Sequence, residues 1–176
     1  MPSTLQQSTL WLALAAAILA APVAARGVYL PPSEFIQTTF EQADKQPEVI
    51  WLTQALQDDI RNILGHNYSA LRLRYWREDQ RSAWILEEIG KEKPITFGIV
   101  VNDGRIERFH VLEFRESRGH EIRYPFFTEQ FTDLQLAGEA LSGTIDGISG
   151  ATLSVRASKK MARLALYLHR HVIDAS

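Results

Sequence analysis

Residue types and spacing that allow chemistry concentrate in one stretch, Asp146-Gly147-Ile148-Ser149-Gly150-Ala151-Thr152-Leu153-Ser154. It reads as a glycine-containing loop that opens a helix. Gly150 lets the backbone approach a ligand closely or take a positive φ. The unpaired N–H groups of the first helical turn, near Leu153 to Val155, favour an anion. Thr152 sets a hydroxyl beside them. Arg156 is unfavourable in a first turn unless something negative sits nearby. A phosphate answers all of these features. A plain helix entry with Ser154 as N-cap produces the same pattern without any ligand.

Other residues offer less. Tyr124, Phe126, Phe127, Trp76 and Trp84 have faces that suit stacking on a planar ring, and the same residues commonly fill cores. His169-x-His171 falls at a helix C-terminus, where cations are stabilised, and reads as structural. By pattern, Asp58-Asp59 and Glu87-Glu88 are exposed charges. No Ser/His/Asp arrangement, Walker loop or dinucleotide-binding fingerprint is present. There are no cysteines, which removes disulfides, thiolate metal sites and cysteine nucleophiles. The balance of 19 Lys+Arg against 21 Asp+Glu argues against a nucleic-acid binder.

The elements that must position the loop are legible from periodicity. Residues 26–64 read as a helical segment. Its first helix follows Pro31-Pro32, with Ser33 as a possible cap. Its second carries Leu52, Leu56, Ile60, Ile63 and Leu64, capped by Thr53 and closed by Gly65. Residues 71–76, 82–89, 95–101 and 105–114 read as four strands, the last two joined by a tight Asn102-Asp103-Gly104 turn. Connections this short predict an antiparallel meander. A helix is expected over about 154–172, with Met161, Leu164, Ala165, Leu168 and Val172 as its apolar stripe. The fold class is α+β.

Residues 1–25 carry no charge, so every charged side chain falls from residue 26 onward. Leu10 to Ala21 is an apolar run of twelve residues, shorter than the roughly 20 that span a membrane and suited to a secretory signal. Val23-Ala24-Ala25 fits a cleavage site, so a signal peptide over 1–25 and a mature chain from Arg26 are expected, with an uncleaved anchor as the alternative. In a bacterium, export of this kind leads to the periplasm.

The Asp146–Ser154 stretch resembles the flavinylation motif of the FMN-binding domain family, which includes flavin-bearing subunits of Rnf and sodium-translocating NADH:quinone reductase complexes. In that family the threonine after Ser-Gly-Ala is esterified to the phosphate of FMN by a magnesium-dependent flavin transferase that uses FAD. The resemblance implies covalent FMN on Thr152. It implies an FMN-binding domain over 65–176, and a cofactor site made by Asp146, Ser149, Gly150, Ala151, Leu153 and Ser154. It further implies an exported electron carrier, matured by a flavin transferase and served by membrane-bound or periplasmic redox proteins. A reductase of a small acceptor and a non-catalytic FMN- or phosphate-binding sensory module are the alternatives. The multi-subunit relatives carry a Thr-Pro-Gly-Leu-Gly-like loop after the meander. Here that place holds Glu116-Ser117-Arg118-Gly119-His120-Glu121. Ser117 or the Gly119 backbone is its expected contact with the flavin ring, with a solvated charged turn as the alternative, and Tyr124 is a separate stacking candidate from the aromatic segment.

Overall fold

A computed structural model describes residues 27–42 and 44–175. The expected signal segment and its cleavage site lie outside the described residues. The chain begins with α1 (Pro32–Phe40), β1 (Glu48–Trp51) and α2 (Gln54–Leu64). Pro32 stands in the first turn of α1, and Pro31, not Ser33, is the capping residue. A proline has no N–H to leave unpaired there and its φ is already helical, so the helix starts early. Thr53 caps α2 by accepting the Leu56 N–H at 3.4 Å, and Gly65 closes it, both as expected. Strand β1 lies inside the segment read as helical. It has four residues, only Ile50 is buried, and so it carries no alternation long enough to reveal it.

The meander follows as β2 (Arg72–Glu78), β3 (Arg81–Ile89), β4 (Pro94–Asn102) and β5 (Arg105–Phe114). The five strands run in the order β1-β2-β3-β4-β5, every pair antiparallel. The β4–β5 turn places Asp103 at φ 50° and Gly104 at φ 73°, the primed geometry whose twist matches a hairpin. Residues 27–30 cover the β5 edge through the Val28–Glu113 bridge and two bonds to Leu112 O.

After β5 come a 3-10 turn (His120–Arg123), α3 (Pro125–Thr128), a second 3-10 turn (Glu129–Phe131), the short hairpin β6 (Leu136–Ala137) and β7 (Ala140–Leu141), and α4 (Thr152–Asp174). The apolar stripe of α4 packs on one sheet face with α2, in a core that includes Trp84, Leu86, Phe97 and Ile99. On the other face α1 sets Phe35, Ile36 and Phe40 against Ala83, Val100 and Leu112. Helices on both faces explain why β4 is buried along nearly its whole length. This is the α+β meander with a closing C-terminal helix.

Two polar readings change. Glu88 is buried at 6% exposure, because it lies on the sheet face that receives α4. There Lys160 Nζ and His66 Nε2 each sit 3.0 Å from its carboxylate. His169 is buried at 3% exposure and is no helix-end cation. Its Nε2 accepts the Gly104 N–H at 3.2 Å, so Nδ1 carries the proton and donates to Ser82 Oγ at 2.8 Å. Burial first, then the nearby Arg77 charge, push its pKa down to about 4.

Candidate functional site

The site is built around the start of α4. Gly150 takes φ +80°, which reverses the chain, and the Ala151 N–H bonds back to Ile148 O at 3.0 Å. Ala151 is therefore the N-cap, and its carbonyl accepts the Val155 N–H at 2.9 Å. The helix starts two residues before the expected Ser154, and no side chain caps it. Val155 is already bonded, so the free amides are those of Thr152, Leu153 and Ser154. Thr152 is exposed at the first helical position. Leu153 beside it is 39% exposed. Arg156 is exposed one turn further along the helix, near the Thr152 side chain.

Ser154 is buried and faces inward, toward the loop after β5. Gly119, at φ +87°, comes so close that a Cβ there would lie 2.8 Å from Ser154 Oγ and 3.2 Å from Ala151 Cβ. Only glycine suits both the conformation and the contact. This brings the Glu116–Glu121 loop against the helix start. Glu116 holds the loop's other side, its Oε1 accepting the N–H groups of Lys91, Glu92 and Lys93 at 2.5–2.8 Å. Desolvation opposes ionisation of Glu116, and these three donors outweigh it, so its pKa falls below the usual value. Ser117 is exposed and lines an adjoining groove of about 810 Å3 with Tyr29, Lys93, Arg115 and His120.

The aromatic segment divides. Phe127 is fully buried, whereas Tyr124 and Phe126 are 39% and 60% exposed. Their rings stack at 6.3 Å and 24°. Arg123 lies between Tyr29 and Tyr124, 4.2 and 4.7 Å from the two ring centres, and donates to Tyr124 OH at 2.9 Å. Of the tryptophans, Trp84 is core, stacked on Tyr75, and Trp76 donates to Lys45 O on the opposite sheet face from α4. Gln130, just past α3, accepts the Asp146 N–H at 2.7 Å and so ties the loop to this segment.

The expected residues thus gather from two directions. Asp146 to Ser154, Gly119 and the segment bearing Tyr124 meet at one end of α4, with Ser117 in the groove alongside. Asp146, Ser149 and Gly150 are exposed on the loop. Glu116, Arg123, Gln130 and Lys159 were not foreseen. Glu116, Gln130 and Lys159 bond partners distant in sequence, Lys159 Nζ donating to Ile145 O at 2.9 Å, and Arg123 joins its neighbour Tyr124 to the distant Tyr29, none of which local spacing signals. Among the described residues no cluster of three or more His, Asp or Glu side chains is placed to hold a metal, and no helix is long and apolar enough to cross a membrane.

The uncapped start of α4 offers amides that suit an anion, and the exposed rings of Tyr124 and Phe126 offer faces that suit a flat ring. Residues 90–167 match the sequence model of the FMN-binding domain, which supports a place for this region in that family. The match supports FMN binding by this domain. No curated protein matches the chain.

Proposed function

We propose that the chain is an exported electron carrier with FMN attached through its phosphate to Thr152. The single observation that supports this most is the exposed Thr152 at the first position of α4, beside three amides that make no hydrogen bond among the described residues. The residues present fit the group. The first-turn amides and Arg156 suit the phosphate, and Gly119 lets the loop after β5 pack closely against the helix start. The exposed faces of Tyr124, Phe126 and Leu153 suit a planar apolar ring.

In the attachment step, Thr152 Oγ1 attacks the FMN-side phosphorus of FAD on a magnesium-dependent flavin transferase. An O–P bond forms, the pyrophosphate bond breaks, AMP leaves and the hydroxyl proton passes to base or solvent. The exposed position of Thr152 gives that enzyme access. Once attached, FMN supplies the redox chemistry, and the chain supplies position and electrostatics. Export is supported by the Leu10–Ala21 run and the Val23-Ala24-Ala25 spacing. The redox partners are membrane-bound or periplasmic proteins. The groove lined by Ser117 and His120 favours a second reading, in which a small acceptor reaches the flavin directly.

Intact mass of the exported protein, co-expressed with a flavin transferase, tests the proposal. The expected gain is FMN less one water, stable to denaturation and mapped to the Thr152 peptide. A gain on any other peptide overturns the assignment. Reduction by protein partners without turnover of small acceptors separates the carrier from the reductase.

A further inference from the structure

Between Ile145 and Ala151 the loop makes few bonds of its own, and a Cβ added at Gly147 or Gly150 would meet nothing within 4 Å. Its course is therefore set by its two ends. One end is Ala151, at the start of α4. The other is held by side chains from two separate elements. Gln130 Oε1 accepts the Asp146 N–H at 2.7 Å, and Lys159 Nζ donates to Ile145 O at 2.9 Å. Gln130 also points the other way, its Nε2 donating to Phe126 O at 3.2 Å. One carboxamide thus joins the leading residue of the loop to the segment that carries Tyr124 and Phe126.

We infer that Gln130 is a positioning residue for flavin attachment, holding the acceptor loop and the aromatic rings in fixed register so that Thr152 is presented while the ring has its seat. The inference rests on the reading of Thr152 above. A neutral carboxamide suits the task because it accepts at one end and donates at the other. The Asp146 amide lies in an exposed loop, where water replaces a lost partner at small cost. The bond therefore matters for where the loop sits more than for global stability. Its oxygen carries the function, since that atom holds Asp146. The Nε2 bond to Phe126 O is secondary, lying at the end of a helix whose last carbonyls water can also serve.

Two variants separate these atoms. Gln130→Ala removes both bonds, and Gln130→Glu keeps an oxygen for the Asp146 N–H while losing the donor. The full mature chain is incubated with flavin transferase, FAD and magnesium, and intact mass is followed with time. Gln130→Ala is expected to slow the gain at Thr152 about fivefold, with Gln130→Glu restored to within about twofold of wild type and both unfolding midpoints unchanged. Amide exchange on the unmodified chain is read in parallel. Exchange at Asp146 rises in Gln130→Ala and not in Gln130→Glu. A wild-type rate for Gln130→Ala, or a Gln130→Glu rate as slow as that of Gln130→Ala, overturns the inference. If the wild-type chain gains no mass at Thr152, the functional reading falls, and the exchange arm decides alone. Unchanged exchange at Asp146 in Gln130→Ala then overturns the positioning role, and faster exchange across 146–152 supports it.

Discussion

The two ends of α4 are opposites. At the N-terminal end no side chain caps the helix, Thr152 and Leu153 are exposed, and the Thr152, Leu153 and Ser154 amides make no hydrogen bond among the described residues. Toward the C-terminal end several polar groups are bonded inside the fold. His169 bonds through both ring nitrogens to Ser82 and Gly104, Trp84 Nε1 donates to the same Ser82 Oγ at 2.8 Å, and Arg77 donates to Val172 O at 3.2 Å. Unmet hydrogen-bonding capacity costs stability unless water or a ligand meets it. One helix thus anchors the fold at one end and keeps binding capacity at the other.

Thr152→Ala should break the comparison most sharply. Flavin attachment is lost completely, read by intact mass, while stability changes by no more than about 0.5 kcal/mol, because an exposed side chain that caps nothing is removed. His169→Ala should do the reverse. It leaves a cavity and unpaired Ser82 and Gly104 groups, and chemical denaturation is expected to show a loss of roughly 2–3 kcal/mol with attachment at Thr152 retained.

Gly119→Ala lies between these extremes, since it strains the fold and disturbs the site together. A non-glycine residue at this φ costs about 1–2 kcal/mol, and Ser154 Oγ must also move. Gly65→Ala is the control, with φ +76° and nothing within 4 Å. It should show the strain alone in its unfolding midpoint and leave attachment unchanged. An equal loss in both variants, with attachment intact in each, would remove the close approach at Gly119 from the site.

The smallest effect is read by pH, and two histidines respond with opposite sign. His169 has a depressed folded pKa of about 4 against the usual 6.5. Between those values the unfolded chain binds the extra proton, so this contribution is full above 6.5 and declines as pH falls toward 4. His66 is raised above 6.5, first by its bond to the Asn67 backbone and then by Glu88. Its contribution is full below 6.5 and is lost as pH rises through the raised value. Histidine NMR titration should show both directions, and Glu88→Gln should bring the His66 pKa down while leaving His169 where it is.

Local order along the chain determined much of this protein. The alternation of Leu73 and Tyr75, the Asn102-Asp103-Gly104 turn, the α4 stripe and the Asp146–Ser154 motif are each set by neighbours a few residues apart, where spacing and backbone preference suffice. The meander and the candidate attachment point followed from these. Only the tertiary structure decided that Glu88 lies under α4, that His169 is a buried neutral ring and that β1 is the sheet's first strand. The approach of Gly119 to Ser154 and the hold of Gln130 on Asp146 were decided in the same way. These pairings join residues far apart in sequence, and whether a Glu, His or Gln is solvated or bonded depends on what packs against it. The candidate Thr152 could therefore be singled out from its own motif and the family resemblance that motif carries, whereas the frame around it exists only once the sheet and helices have closed.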